Sequence, residues 1–244
     1  MKKNKEEKIK KHSLHIVLTI LVALPIFSLI LFFIVDKTSL TRSFDYFFYT
    51  LINGLYPIYW LDILIYPFHR NFLPWGAGFL PSYFYFMIGP FLIYMFIKDR
   101  KLFPWILFSI VVGTLMGMLL YGLSQHFIFR QRPFTVFPHN MDKETMEGLK
   151  SWPSFPSGHV RDTALYSTII ASYIPRLMWP LGIFTLFIAF SRLYTGAHYP
   201  SDVVAGMIIG YVLARTVLMM ARELQIIFEN RTVFIHGSKP KSKQ

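Results

Sequence analysis

Cysteine is absent from this chain of 244 residues. A disulfide framework, a thiol nucleophile and a cysteine-ligated zinc site are therefore excluded. Charged residues are also scarce, at 16% of the chain, where soluble domains carry about a quarter. Hydrophobic residues reach 54% and aromatic residues 18%, with a mean hydropathy of +0.43. This composition predicts a polytopic membrane protein with one membrane-embedded domain.

Apolar runs long enough to cross the ~30 Å hydrocarbon core of a bilayer recur along the chain. They predict an all-α bundle of six transmembrane helices, at 14–35, 78–97, 102–124, 160–175, 178–191 and 203–220. The fifth run is short for a full crossing unless the preceding PRLMWP extends it. Residues 36–77 are rich in aromatic residues and proline, which predicts one or two interfacial helices. The membrane domain is expected to cover 1–220, and 221–244 to form a cytoplasmic tail.

The net charge is +12, a value that nucleic-acid-binding proteins also reach. The lysines, however, cluster at the chain ends and in one short turn, so nucleic acid is not a predicted partner. Because basic residues concentrate on the cytoplasmic side of membrane proteins, both termini are expected to be cytoplasmic. The loops that precede the fourth and sixth spans then face outward. The expected location is a bacterial inner or plasma membrane.

Three outward-facing segments place polar groups beside these apolar runs: QHFIFRQRP at 125–133, PSGH at 156–159 and SRLYTGAHYPSD at 191–202. Ionisable groups at such positions are costly and usually functional. In PSGH, Gly158 precedes an apolar run and opens a helix, whose free N–H groups and positive dipole end favour an anion. Ser157 adds a hydroxyl donor, and His159 lies beside the anion.

The stretch HYPSD follows the same logic at the next helix start. Pro200 suits the first helical turn, and Asp202 belongs in that turn. If the chain turns into the helix between them, Asp202 meets His198, fixes its tautomer and stabilises its cation, so that the free ring nitrogen becomes a directed nucleophile. Arg132 and Arg192 offer planar forks for phosphate oxygens.

Taken singly, each of these groups has a simpler explanation. A lone histidine near a helix start is usually a structural group, and a lone arginine at a membrane edge usually contacts lipid headgroups. Two histidines, two arginines and a carboxylate at span ends on one side of the bilayer indicate a shared site instead. A metal site would need more converging ligands, and the arginines would repel a cation. The pattern therefore predicts anion binding and no metal.

Together, RQRP, PSGH and SRLYTGAHYPSD resemble the three-part signature of the type 2 phosphatidic acid phosphatase superfamily, which also includes the vanadium haloperoxidases. The family pattern is K-x6-R-P, P-S-G-H and S-R-x5-H-x3-D, and its second and third parts are complete here. The resemblance implies a haloperoxidase-like helical bundle that needs no cofactor. It implies that His198 attacks phosphorus to form a phosphohistidine, that Asp202 orients it, and that His159 protonates the leaving oxygen. The implied ligands of the phosphate oxygens are Arg132, Arg192, Ser157 and the Gly158 N–H.

One position departs from the family pattern, because Gln125 stands where the family has lysine. An amide donates a hydrogen bond but supplies no charge, and a lost charge-assisted contact costs about 1.5–3 kcal/mol. Arg130 and Arg161 are candidates to compensate. Asp162, three residues after His159, is a candidate to orient that histidine. The alternative for Arg161 and Asp162 is a polar pair that faces the lipid headgroups.

A phosphate site at the outer membrane boundary predicts a lipid phosphate or diphosphate as substrate. Undecaprenyl diphosphate is the first choice, and phosphatidylglycerol phosphate, phosphatidic acid and lipid A phosphates are alternatives. Loop 134–155 and segment 36–77 are expected to shape headgroup choice; within that loop His139 and Lys150 are more simply loop residues than ligands of a second phosphate. Two other functions remain open: phosphotransfer from the same phosphohistidine to another lipid, and lipid-phosphate binding or transport without catalysis.

Overall fold

The computed structural model describes residues 38–69, 82–127, 129–137 and 152–236, and isolated positions at 23, 26, 27, 30, 32, 33, 140, 146, 147 and 149. Within the four continuous ranges the chain is all-helical, as predicted. The α-helices are α1 Ser39–Asn53, α2 Tyr59–His69, α3 Ser82–Lys98, α4 Phe103–Phe127, α5 Gly158–Tyr173, α6 Met178–Tyr194 and α7 Pro200–His236. Short 3-10 turns lie at Pro133–Thr135 and Pro175–Leu177.

Three described segments are long and apolar enough to cross a membrane: Phe103–Ser124, Pro175–Tyr194 and Pro200–Phe228. The second of these confirms that the PRLMWP stretch extends the fifth predicted span, because the 3-10 turn leads directly into α6. The apolar segment Phe86–Lys98 of α3 is shorter. The first predicted span, 14–35, lies outside the described residues except for isolated positions, so six crossings remain a prediction.

Two helices differ from the predicted spans. The fourth span corresponds to α5, whose 16 residues reach only about 24 Å and are mostly buried inside the protein. The sixth corresponds to α7, which continues through 37 residues to His236 instead of ending near 220. After Gly210 its sequence contains neither glycine nor proline, so no local signal ends the helix there. The predicted boundary of the membrane domain at 220 therefore falls inside a continuous helix.

The hydrophobic core lies where α5 packs between α4, α6 and α7, and α5 makes its most extensive contacts with α7. The fully buried side chains of the core include Leu165, Ile169, Ile188, Leu213 and Val217. Segment 36–77 contributes α1 and α2 within the described residues, which agrees with one or two helices there. Both helices contact the end of α6, and α1 also contacts α7. The N-terminal helices thus flank the turn between α6 and α7.

Two glycines allow α7 to approach α5 closely. A Cβ on Gly206 would lie 2.7 Å from the carbonyl oxygen of Ser157, and a Cβ on Gly210 would lie 2.1 Å from that of Arg161. Small residues four apart are a common means by which membrane helices come into backbone contact. The approach aligns the first turns of α5 and α7, where the N–H of Ser157 donates to the carbonyl of Asp202 at 3.1 Å.

Candidate active site

The turn between α6 and α7 is shaped by Gly196, whose φ of 75° lies in the left-handed region that favours glycine. Its N–H donates to the carbonyl of Leu193 at 3.0 Å, and the N–H of Ala197 donates to that of Arg192 at 3.1 Å. This pair of bonds is the Schellman ending of a helix. It reverses the chain at once, so that the N–H of His198 lies 3.3 Å from the Arg192 carbonyl. Arg192 and His198 are thereby held in one compact turn.

Asp202 is fully buried at the start of α7. Its Oδ2 accepts a hydrogen bond from the N–H of Tyr199 at 3.0 Å, which is the acidic half of a capping box. The same carboxylate accepts hydrogen bonds from the hydroxyl of Ser154 and from the guanidinium of Arg130. The local sequence therefore sets the position of Asp202 in the helix, while two distant segments complete its hydrogen bonds.

The ring of His198 has different partners on its two nitrogens. Nδ1 lies 2.8 Å from the carbonyl oxygen of Ser154 and 3.7 Å from Oδ2 of Asp202. Nε2 lies 3.4 Å from Nη1 of Arg132. A carbonyl only accepts and a guanidinium only donates, so Nδ1 carries the proton and Nε2 the lone pair. The Ser154 carbonyl is thus the nearer partner of Nδ1, while Asp202, the predicted orienting group, lies within ion-pair distance of the same nitrogen and also binds the hydroxyl of Ser154.

His198 is only 5% exposed. Burial lowers its pKa to about 4; Asp202 opposes this shift, and the positive charges of Arg132 and Arg192 add to it. The imidazole is therefore uncharged at neutral pH, and the lone pair of Nε2 is free to attack an electrophile beside Arg132.

Arg132 is buried next to His198 and held by backbone carbonyls. Its Nε donates to the carbonyl of Trp152 at 2.9 Å, and its Nη1 donates to that of Ala197 at 2.8 Å. Nη2 donates to the carbonyl of Pro153 at 3.2 Å. These acceptors fix the plane of the guanidinium without neutralising its charge. The site thus has a rigid positive group beside a nucleophilic nitrogen.

The start of α5 provides a second group of donors. Ser157 is the N-cap residue of α5, and its hydroxyl is one of two buried side-chain polar atoms without a hydrogen-bond partner in the described part of the chain. An unsatisfied buried hydroxyl costs about 1–3 kcal/mol, so a bound acceptor would restore that energy. The Cβ position of Gly158 faces open space. His159 follows in the first turn of the helix, half-buried.

Arg130 does not take the role of a phosphate ligand that would replace the missing lysine. Its Nη2 donates to Oδ2 of Asp45 at 2.6 Å, and its Nη1 donates to Asp202. Its guanidinium also stacks over the ring of Tyr199, 4.1 Å from the centroid. Arg130 therefore bridges two carboxylates. The side chains of Gln125, His139 and Lys150 lie outside the described residues.

The contacts of Arg161 and Asp162 correct two further predictions. Nε of Arg161 donates to Oδ1 of Asp162 at 2.7 Å, and its Nη1 donates to the carbonyl of Gly117 in α4 at 2.7 Å. Arg161 thus binds its neighbour and α4 instead of compensating for Gln125, and the carboxylate that was predicted to orient His159 is engaged by Arg161. The two residues form a pair, as the alternative held, but Arg161 is buried between helices and does not face lipid headgroups.

One buried carboxylate near the site was not predicted from the sequence. Asp45 in α1 is 1% exposed and accepts hydrogen bonds from the N–H and hydroxyl of Ser201 at 2.9 Å and 2.6 Å. A signal was present, because the polar-tipped residues Asp45, Tyr49 and Asn53 are spaced four apart and so lie on one side of a helix. All three are the buried residues of α1, which marks the side of the helix that faces the protein.

A helical bundle with three helices apolar enough to cross a membrane, which buries an imidazole beside arginines at the starts of two helices, defines a membrane protein with a buried, positively charged polar site. The chain belongs to the PAP2 superfamily, whose family model matches residues 105–225. The resemblance noted in the sequence is thereby confirmed.

Two of the curated relatives that the chain matches are lipid phosphatases by name. The undecaprenyl-diphosphatase of Sulfolobus acidocaldarius is 30% identical over 121 residues, which cover 49% of this chain and 55% of the relative. A lipid A 1-phosphatase of Rhizobium etli is 31% identical over 107 residues, which cover 43% of this chain and 46% of the relative. The chain thus spans about half the length of these relatives.

The fold is shared with a solved structure, a transmembrane PAP2-type phosphatidylglycerolphosphate phosphatase from Bacillus subtilis. The TM-score is 0.56 at 22% identity, and the match covers 81% of this chain and 93% of that one. At this level of identity the comparison supports the helical architecture.

Proposed function

We propose that this protein is a membrane lipid phosphate or diphosphate phosphatase that works through a phosphohistidine on His198. The observation that supports this most directly is the set of contacts around that ring. The Ser154 carbonyl accepts a hydrogen bond from Nδ1–H, while Nε2 lies beside the guanidinium of Arg132. A lone pair beside a guanidinium that can hold an anionic phosphate is the arrangement that nucleophilic attack on phosphorus requires.

In the first step Nε2 of His198 attacks phosphorus, and the bond to the leaving oxygen breaks as His159 donates a proton to that oxygen. The equatorial oxygens are stabilised by the residues Arg132, Arg192, Ser157 and the Gly158 N–H. Asp202, 3.7 Å from Nδ1, stabilises the positive charge of the phosphoimidazolium. In the second step water attacks phosphorus and gives a proton to His159. The bond between phosphorus and Nε2 of His198 breaks, so that phosphate is released and both histidines are restored.

The proposed substrate is undecaprenyl diphosphate, with lipid A phosphates, phosphatidylglycerol phosphate and phosphatidic acid as alternatives. The names of the relatives support this choice. We further propose six crossings, cytoplasmic termini and a site at the outer membrane boundary. The exposed apolar side chains of α1, which include Leu40, Phe44, Phe47 and Leu51, support lateral entry of a lipid, because α1 flanks the α6–α7 turn.

A phosphate-release assay on purified protein tests this function. The four substrates are compared side by side, without an acceptor lipid, and we expect the fastest release from undecaprenyl diphosphate. Vanadate adopts five-coordinate geometry like the transition state, so it should inhibit at or below millimolar concentration. Release that needs an added acceptor lipid would favour phosphotransfer, and binding without release would favour a binding or transport protein. Activity unaffected by millimolar vanadate would contradict the mechanism.

The acid limb of the pH profile of kcat/KM should reflect the ionisation of His198. Its attack needs the uncharged ring, and with a pKa of about 4 the ring stays largely uncharged down to about pH 5. We therefore expect kcat/KM to be constant above that pH on the acid side and to fall as the pH drops through about 4, after correction for substrate ionisation. Re-assay at pH 7 after acid exposure controls for inactivation. An enzyme ionisation near 6.5 on this limb would contradict an uncharged, buried His198.

A further inference from the structure

A buried chain of charges joins α1 to the candidate nucleophile. Asp45 binds Arg130, Arg130 binds Asp202, and Asp202 lies 3.7 Å from Nδ1 of His198. Ser201 bridges Asp45 and Arg130, because its hydroxyl donates to Asp45 at 2.6 Å and accepts from Nη1 of Arg130 at 2.9 Å. No member of the chain is more than 8% exposed.

The charges of this chain depend on one another. Buried ions are stable only when they are paired and their remaining hydrogen-bonding groups are satisfied. Arg130 has a carboxylate on each side and the ring of Tyr199 against its face. If Asp45 were absent, the guanidinium would have only Asp202 as a carboxylate partner among these contacts. Arg130 would then be free to draw Asp202 away from His198.

The packing of α1 against the rest of the protein fixes the position of Asp45. One side of the helix buries Asp45, Tyr49 and Asn53 against the protein. The amide of Asn53 donates to the carbonyl of Tyr194 at 3.0 Å, close to the end of α6. Asp45 is therefore held two turns away from a direct bond between α1 and the helix that precedes His198.

We propose that Asp45 is a positioning residue for this site, which holds the carboxylate of Asp202 through Arg130 and thereby sets the orientation of His198. This inference rests on the proposed phosphatase function. Asp45 makes no proposed contact with substrate. Its loss should therefore lower the rate of the chemical step and leave substrate binding nearly unchanged.

The first test compares Asp45→Asn with Asp62→Asn. The asparagine keeps the shape but presents an amide donor to groups that are themselves donors, so we expect kcat to fall about 30-fold with KM changed less than about threefold. Asp62 is a matched control, because its carboxylate accepts one hydrogen bond, from the Tyr194 hydroxyl at 2.7 Å, away from this chain of charges. Equal losses of kcat at both positions would overturn the proposal, as would a raised KM with unchanged kcat.

The second test asks whether Asp45 acts through Asp202. In an Asp202→Asn background, Asp45→Asn should cause no further loss of the residual turnover, because the group it positions is already neutralised. Losses that multiply would show that Asp45 acts by another route. Asp45→Glu keeps the buried charge but displaces the carboxylate by one methylene. It replaces Asp45→Asn as the test variant if the asparagine variant does not fold. We expect it to lose about tenfold in kcat, and wild-type kcat would overturn the proposal.

A measurement without turnover separates this inference from the proposed function. The Nδ1 proton resonance of His198, assigned by its loss in His198→Ala, should move in Asp45→Asn and stay in place in Asp62→Asn. A resonance that stays in place in both variants overturns the positioning role. If the resonance moves in Asp45→Asn as expected but the wild-type protein releases no phosphate, the proposed function is overturned and the positioning role is supported.

Discussion

His198→Ala is expected to abolish phosphate release, with kcat lowered by about 10⁴-fold or more. The substitution removes the nitrogen that is proposed to form the covalent bond, and His198 is the imidazole that contacts both the Ser154 carbonyl and Arg132 in the described part of the chain. The arginines and the start of α5 remain, so substrate affinity should change much less than turnover. Steady-state phosphate release and equilibrium binding of substrate measure the two effects separately.

Trapping of the covalent intermediate is the companion experiment. Wild-type protein quenched during turnover of a ³²P-labelled substrate should carry acid-labile, base-stable label, and His198→Ala should carry none. His159→Ala is the matched control, because it removes an imidazole that we assign to proton donation. With p-nitrophenyl phosphate, whose leaving group needs no proton, it should recover formation of the labelled intermediate, while release of phosphate stays slow because His159 is the proposed acceptor of the water proton. Retention of 1% or more of wild-type kcat by His198→Ala would rule out this nucleophile.

Gly210→Ala is expected to cause the largest loss of stability among conservative substitutions outside the site, of about 2–4 kcal/mol. The added Cβ would lie 2.1 Å from the carbonyl oxygen of Arg161 and 2.9 Å from Cβ of Ala164. Backbone cannot yield as a flexible side chain does, so α5 and α7 must separate. That separation also pulls the Ser157 N–H away from the Asp202 carbonyl. Thermal unfolding in detergent and phosphate release should therefore both decline.

Gly182→Ala provides the control for helix propensity. Gly182 lies inside α6 with open space around its Cβ position. Substitution by alanine there should leave the midpoint of thermal unfolding unchanged or raise the free energy of unfolding by less than about 1 kcal/mol. If the two variants unfold at the same temperature, α7 does not approach α5 as closely as the structure indicates.

Several features of this protein follow from short stretches of sequence. The helices α4, α6 and α7 follow from their apolar runs, and Pro200 and Asp202 together predict the start of α7. The PSGH motif likewise predicts a helix start at Gly158. The helix-start signals lie within about one helical turn and each apolar run is one continuous stretch, which is why both can be read without knowledge of the fold. The candidate nucleophile and its arginines were identified in the same way, through their spacing and the family resemblance.

The partners of those residues were decided by tertiary packing. Arg130 lies 85 residues from Asp45 and 72 from Asp202, and no spacing rule relates such distant positions. The same holds for the Ser154 carbonyl, which is 44 residues from His198 and is a backbone atom that any residue type supplies. The burial of Arg161 against Gly117 depends on how closely α4 and α5 pack. Local chemistry thus determined which groups the site contains, whereas the contact of α1, α5 and α7 determined which of them bind one another, because only packing brings such distant atoms within hydrogen-bond range.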